Sequence, residues 1–198
     1  MSNDSQLLTK FDSFFRLPSK LHTAAQAVTG MSGPFVNMEK SSFDWVGFKD
    51  AVDTYAKKGH GNLTYDKINS TNIQQSEAAV SVMVDAIVQF LAVAFGAAID
   101  KDALELKVKA AFSVSADVET GFLYRKQIGK NVQWEYRVVF AVPISGVQEY
   151  FYSLVTTIKI EAEDTKVTAL FYESKVKKFS AEIKAMQLVV KETFNGDK

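Results

Sequence analysis

Residues 133–164 read QWEYRVVFAVPISGVQEYFYSLVTTIKIEAED, and they indicate the architecture of a sheet. Apolar and polar side chains alternate with a period of two, which is typical of β-strands. A turn at residues 143–146 divides the stretch into two strands. The second runs for about sixteen residues without a breaker, whereas an ordinary strand has ~5–6. The stretch therefore predicts two long neighbouring strands.

Each of these strands has one row of mainly apolar side chains. In the first strand the row consists of Trp134, Tyr136, Val138, Phe140 and Val142. In the second strand it consists of Tyr150, Tyr152, Leu154, Ile158 and Ile160. The opposite rows carry charged residues, among them Arg137 and Lys159, together with apolar ones. Because both rows contain apolar side chains, we expect both faces of the sheet to be covered.

Further strands are predicted on both sides of this stretch. Residues 121–128 precede it and are separated from it by Gly129, Lys130 and Asn131, a hairpin signal. Residues 167–172, VTALFY, follow it. The tail, residues 177–194, alternates like a strand but also has helical spacing of its apolar residues. We expect a strand first and a short helix at the end.

Before residue 112 the spacing of apolar residues is helical. Helices are predicted over residues 7–15, over residues 20–28 with Ser19 as the cap and Gly30 as the stop, and over residues 43–58. The third of these buries Phe48, Val52 and Tyr55, which are spaced at i, i+4 and i+7. A last helix is predicted over residues 101–112, capped by Asp100.

Residues 80–99, VSVMVDAIVQFLAVAFGAAI, form the most apolar predicted helix. Twenty helical residues would span ~30 Å, the thickness of a bilayer core, yet Asp85 lies near the middle. Ser81, Asp85 and Gln89 are spaced four apart and form one narrow polar stripe. The stripe indicates a helix that covers a sheet and exposes one edge to water. Its buried side is expected to include Val84, Ile87, Val88, Phe90, Leu91 and Phe95.

Helices followed by consecutive antiparallel strands predict an α+β fold. We expect a single domain over residues 1–198, arranged as a three-layer α-β-α sandwich around a mostly antiparallel sheet. Residues 41–112 are expected to be mainly helical and residues 118–194 mainly long strands.

Composition excludes several classes of function. The 198 residues include 23 basic and 23 acidic side chains, so the net charge is zero, and nucleic acid is not an expected partner. Cysteine is absent, which excludes disulfides and thiolate metal sites. The first fifteen residues, MSNDSQLLTKFDSFF, lack the pattern of a signal peptide. If the protein leaves its cell, we expect release without an N-terminal signal peptide.

Catalytic and metal-binding patterns are not found in the sequence. His22 and His60 are the only histidines and do not have metal-ligand spacing. Glu161 and Glu163 could resemble the carboxylate pair of a glycosidase. The simpler interpretation is that these two carboxylates, on one strand face, are both exposed to solvent. We therefore expect no enzymatic activity, no metal and no cofactor. Lys175, Lys177, Lys178 and Lys184 form a basic cluster that could contact anionic headgroups or could be an ordinary solvated surface.

Four blocks carry a family resemblance: FDWVGFKDAVDTY (43–55), NVQWEYRVVFAVPIS (131–145), YFYSLVTTIKI (150–160) and KKFSAEIKAMQLVVK (177–191). In this order they resemble the Cyt cytolytic delta-endotoxin family, with the nearest likeness to its fungal volvatoxin-type members. The resemblance covers roughly residues 40–194, whereas residues 1–40 match poorly.

The resemblance implies a sheet wrapped by two layers of helical hairpins, as well as a function. Members are soluble monomers that bind membrane phospholipid without an obligatory protein receptor, rearrange, form homo-oligomers and lyse the target cell at its membrane. The helical layers, here including residues 80–99, are implied to move away. The long strands then contact the bilayer, or else the oligomers cover the membrane like a detergent.

The strand pattern is compatible with long strands that contact the bilayer. A membrane-spanning strand needs ~9–11 residues with alternating lipid-facing and water-facing side chains, and aromatic rings favour the headgroup boundary. Residues 133–143 and 150–160 have about this length. The alternative is a soluble lipid-binding or fatty-acid-binding module, or an interaction module, that keeps the toxin fold without forming pores.

Overall fold

The computed structural model describes residues 17–37, 42–75, 78–95, 123–129, 131–163 and 175–196. The helices are α1 (His22–Ser32), α2 (Trp45–Lys57) and α3 (Val80–Phe95). The strands are β1 (Val36–Asn37), β2 (Ser42–Phe43), β3 (Leu63–Gln75), β4 (Ala78–Ala79), β5 (Leu123–Ile128), β6 (Asn131–Pro143), β7 (Tyr150–Glu163) and β8 (Lys175–Lys191). The chain is a mixed α+β structure with an antiparallel sheet, as predicted.

The main sheet has the strand order β3-β8-β7-β6-β5, and the short β4 pairs with β8. β5 and β6 form the predicted antiparallel hairpin, with Leu123 opposite Tyr136 and Ile128 opposite Asn131. β6 and β7 are joined by residues 144–149. So short a connection allows only an antiparallel arrangement. β1 and β2 form a separate small hairpin.

The described residues belong to two compact units, the first within Met1–Ile68, Val138–Thr156 and Ala185–Lys198. Its core joins α1 and α2 to one row of side chains from β6, β7 and β8. As the spacing predicted, α2 contributes Phe48, Val52 and Tyr55. The residues of β6, β7 and β8 in this core are Val139, Ala141, Phe151, Val155, Met186, Leu188 and Val190.

The second row of the strands in this unit is buried as well. Val138, Phe140 and Val142 of β6 and Leu154 of β7 are each at most 5% exposed. Strands that are apolar on both rows are typical of a sheet covered on both faces. The burial therefore agrees with the layering predicted from the sequence.

The second unit lies within Asn69–Arg137 and Thr157–Lys184 and contains α3. Its buried apolar side chains come from α3 and from the distal parts of β7 and β8. At the end of α3, Asn69 Nδ2 of β3 donates a hydrogen bond to the Ala94 carbonyl oxygen over 3.3 Å. The buried set in this unit includes Met83, Ile87, Leu91, Ile158, Ile160, Ala162, Ala181 and Ile183.

The predicted start and stop of the first described helix were wrong. Ser19 does not cap α1: it begins a short 3-10 turn, and no side chain caps the helix. Gly30 lies inside α1, which continues to Ser32. A single glycine costs a helix only about 1 kcal/mol, which packing can offset. Pro34 follows in the next 3-10 turn, and proline is the stronger helix terminator.

The predicted short helix at the end of the tail was also wrong, because β8 remains a strand up to Lys191. β8 lies between β7 and β3 in the sheet. A central strand is buried on both rows, so its consecutive apolar residues imitate helical spacing.

The strand β3 was missed in the segment where mainly helices were expected. Its half-buried row includes Lys67, Asn69 and Thr71, so apolar alternation is weak. Two partly buried apolar residues of β3, Tyr65 and Ile68, pack against the core of the first unit. The helices predicted at residues 7–15 and 101–112 and the strand at 167–172 lie outside the described residues.

Candidate functional site

The predicted row of β6 is buried where its side chains are described. Val138, Phe140 and Val142 lie on one row, and each is at most 5% exposed. Trp134 and Tyr136 belong to the same row of the strand, but their side chains lie outside the described part of the structure. The folded chain thus keeps the described part of this candidate membrane-contacting row away from solvent.

The predicted row of β7 has a half-buried aromatic end and a buried aliphatic remainder. Leu154, Ile158 and Ile160 are almost completely buried, whereas Tyr150 and Tyr152 are half-buried. The Tyr150 ring faces the Lys191 ammonium, whose Nζ lies 5.5 Å from the ring centroid. Tyrosine rings of this kind have an apolar body and a polar tip, which suits a boundary between apolar and aqueous surroundings.

Burial along β7 changes from one row to the other. Phe151, Ser153 and Val155 are buried near its beginning, and Ile158, Ile160 and Ala162 are buried near its end. Between Ser153 and Ile158 both rows are buried. A sequence pattern of period two does not reveal this exchange, because it depends on what covers each part of the strand.

The helix α3, the predicted cover, exposes two of the three residues of the predicted polar stripe. Asp85 and Gln89 are exposed and Ser81 is half-buried, and two exposed valines, Val82 (48%) and Val93 (76%), lie on the same side of the helix. Among the predicted covering residues, Val84, Ile87, Val88, Leu91 and Phe95 are buried and Phe90 is half-buried. None of the described helices is long and apolar enough to cross a membrane.

The charged row opposite the candidate row is largely buried in the folded chain. Arg137 is only 3% exposed, which agrees with the expectation that both faces of the sheet are covered. Lys159 and Glu161 are half-buried. The Glu161 carboxylate accepts a hydrogen bond of 2.7 Å from Asn131 Nδ2, which joins the far end of β7 to β6.

Glu135 was not singled out from the sequence. Burial raises the pKa of the Glu135 carboxyl to about 7, the nearby Lys159 ammonium lowers this pKa, and Glu182 raises it. Its Oε2 atom is buried and accepts no hydrogen bond from a described residue. These three residues come from the adjacent strands β6, β7 and β8. A charged residue in a strand pattern does not by itself reveal that neighbouring strands enclose it.

The predicted lysine cluster is spread along β8. Lys184 is half-buried and lies six residues beyond Lys178, a distance of ~20 Å along a strand. Lys175, Lys177 and Lys178 lie in β8, but their side chains are not among those described. The structure therefore does not bring Lys184 together with the other three.

The two histidines have local contacts. The His22 Nε2 atom lies 2.9 Å from the Leu17 carbonyl oxygen, and the His60 ring packs on Tyr55 with 4.9 Å between ring centroids. In the described ranges, no three His, Cys, Asp or Glu side chains come together as a metal site.

Comparisons with known proteins identify the family. The family model described as "Bacillus thuringiensis toxin" matches residues 48–194. No curated protein sequence matches the chain.

Two solved structures share the fold at low identity. A structure titled "DELTA-ENDOTOXIN" has a TM-score of 0.77 and 15% identity, covering 96% of this chain and 88% of its own. The activated Cyt2Ba monomer from Bacillus thuringiensis subsp. israelensis has a TM-score of 0.70 and 14% identity, covering 92% of this chain and 98% of its own. Because the family model spans most of the sequence, this chain belongs to the Bacillus thuringiensis toxin family of Cyt delta-endotoxins, a family of cytolytic toxins.

Proposed function

We propose that this chain permeabilises membranes. The folded monomer binds phospholipid at the target-cell membrane, rearranges, forms a homo-oligomer and lyses the cell. The observation that carries the proposal is β7, whose residues 150–160 have the length of a membrane-spanning strand and an apolar row with tyrosines at one end. The antiparallel neighbour β6 has a similar length.

A rearrangement is needed because the described apolar row is buried. Leu154, Ile158 and Ile160 are almost completely buried in the folded chain. They reach lipid only if the elements that cover the sheet move. In water each such exposure costs ~1.5–3 kcal/mol, so the movement becomes favourable only where lipid accepts the side chains.

The composition of α3 suits a helix that moves from the protein to a membrane surface. Its buried side carries Val84, Ile87, Val88, Leu91 and Phe95, while its exposed side mixes Asp85 and Gln89 with Val82 and Val93. An amphipathic helix at a membrane surface lies with its apolar face toward the acyl chains and its polar face toward water. We propose that α3 moves away from the sheet and then stays in the membrane interface.

Phospholipid and further copies of the chain are the proposed partners. No obligatory protein receptor, nucleic acid, metal or cofactor takes part, and the action is physical rather than enzymatic. Lys175, Lys177 and Lys178 at the start of β8, and Lys184 farther along the same strand, are the proposed contacts for anionic headgroups. The proposal of lipid contact through β6 includes Trp134 and Tyr136, whose positions in the strand suit the headgroup boundary.

The direct test is release of a trapped dye from phospholipid vesicles of varied composition. We expect the full chain at micromolar concentration to release the dye and to form oligomers on the vesicles. Vesicles that stay intact across the whole lipid series would contradict the proposal. A monomer that co-purifies with lipid in native mass spectrometry, without oligomers on membranes, would instead favour a soluble lipid-binding module.

A disulfide between α3 and β3 tests the proposed movement. The Asn69 side chain reaches the Ala94 carbonyl oxygen, so we choose the double variant Asn69→Cys/Ala94→Cys for the cross-link in a chain without other cysteines. We expect the oxidised form to bind vesicles without releasing dye. The same protein after reduction is the matched control and should regain release. Equal release by both forms would show that α3 need not move.

A further inference from the structure

β3 lies at the edge of the main sheet. Among the described strands its neighbour is β8, and no described strand pairs with its other side. The outer side of an edge strand presents a row of backbone N–H and C=O groups that can pair with another strand. Natural sheets usually protect such edges with charges, proline, bulges or short length.

The two edges of this sheet differ in protection. β5, at the opposite end of the strand order, has six residues, of which Arg125 and Lys126 are charged. β3 has 13 residues, and its last seven, residues 69–75, read NSTNIQQ. This segment contains no charge, no proline and no glycine. Uncharged Asn- and Gln-rich strands of this length pair readily with copies of themselves.

The folded chain holds this segment in a regular extended form. Ser70, Asn72 and Gln74 are exposed and alternate with half-buried residues. Asn69 is tied to the end of α3 through its hydrogen bond to Ala94. An edge that is already extended loses little conformational entropy when it pairs.

We propose that residues 69–75 of β3 pair antiparallel with the same residues of a second copy of this chain. The inference rests on the self-association in the proposed function and names its surface. With the two-fold axis at Asn72, Ser70 lies opposite Gln74 and Thr71 opposite Ile73. The contact is self-complementary and closes as a dimer, so larger assemblies add other surfaces.

Charge decides the direction of pairing. In a parallel, in-register pair Asp66 would lie beside Asp66, and Lys67 beside Lys67. Like charges opposite each other destabilise a sheet. The antiparallel arrangement keeps these residues of the two copies apart, so no charged side chain lies opposite a like charge within the paired segment.

Cysteine cross-linking of the full chain on vesicles tests this pairing. In Asn72→Cys the two thiols lie at the two-fold axis, where opposed Cα atoms are ~4.5–5.5 Å apart, a distance that a disulfide spans. We expect a covalent dimer after mild oxidation on vesicles of phosphatidylcholine and phosphatidylserine. Thr64→Cys is the matched control: it is exposed on the same strand, but its two copies would lie ~53 Å apart in this arrangement.

A charge variant tests the same edge without cysteine. Asn72→Lys places two ammonium groups opposite each other and should lower the amount of dimer extracted from vesicles about two- to fivefold, whereas Thr64→Lys should not. Both side chains are exposed, so circular dichroism should remain unchanged. Equal cross-linking of Asn72→Cys and Thr64→Cys, or an undiminished dimer in Asn72→Lys, overturns the inference. If dye release and oligomers persist in either case, the proposed function stands and only this surface is wrong.

Discussion

Replacing Glu135 by glutamine should change how the free energy of unfolding depends on pH. The pKa of this carboxyl is raised from its ordinary value of 4.5 to about 7, mainly because it is buried. A tenfold change in an ionisation constant corresponds to about 1.4 kcal/mol. The raised pKa of Glu135 therefore changes the free energy of unfolding by at most about 3 kcal/mol. Solvent reaches part of the group, and screening reduces the expected effect to about 1–2 kcal/mol.

The sign follows from proton binding. Between pH 4.5 and about 7 the folded chain keeps a proton on Glu135 that the unfolded chain has released. The free energy of unfolding therefore falls as pH rises through this range and levels off above it. Residue 135 cannot ionise in Glu135→Gln. The difference in free energy of unfolding, variant minus wild type, should therefore be about 1–2 kcal/mol larger at pH 8 than at pH 4.5.

Urea unfolding of the wild type and Glu135→Gln from pH 4.5 to pH 8 measures this difference. Asp66→Asn, which changes an exposed carboxyl of β3, is the matched control and should follow the wild type. Glu182→Gln removes a neighbouring negative charge and should weaken the pH dependence, since Glu182 raises the pKa of Glu135. A difference between wild type and Glu135→Gln that stays constant from pH 4.5 to pH 8 would refute the reasoning.

Three further substitutions test the elements that support the site. Asp44→Ala should cost about 1 kcal/mol in urea unfolding, because the Asp44 carboxylate caps α2 by accepting a hydrogen bond of 2.9 Å from the Gly47 N–H. The exposed Asp50→Ala in the same helix is its control, and equal losses would count against the cap. Phe48→Ala should cost about 3–5 kcal/mol in the same assay, since Phe48 is fully buried, whereas Val46→Ala, 73% exposed, should have little effect. Tyr152→Asp should lower dye release but not vesicle binding, because a charge on a lipid-facing row is unfavourable. Gln148→Asp in the exposed loop is its control, and unchanged release by Tyr152→Asp would show that this row does not face lipid.

Local spacing was sufficient to predict the elements whose pattern agrees with their packing. α2 buries Phe48, Val52 and Tyr55 as their helical spacing indicated. α3 exposes Asp85 and Gln89 as one stripe. β6 and β7 are long strands, as their uninterrupted patterns of period two indicated. In α2 and α3 one physical factor, the choice of a buried side, sets both the sequence pattern and the structure.

Elements that depend on distant partners could not be predicted in this way. β3 is polar along much of its half-buried row, and its pairing with β8 makes it a strand. The end of β8 has helical spacing, yet its place between two strands keeps it extended. The single-domain interpretation, the roles of the candidate site residues and the nearer likeness to volvatoxin-type members stay predictions.

The sequence by itself determined the α+β class, the long antiparallel strands, the apolar helix α3 and the family. Only the tertiary structure decided that β7 exchanges its buried row along its length, that Arg137 is nearly inaccessible and that Glu135 is held where its pKa is raised to about 7. The reason is physical: periodicity records which side of a segment is apolar. Burial of a charge and the free edge of a sheet depend on neighbours far away in the chain.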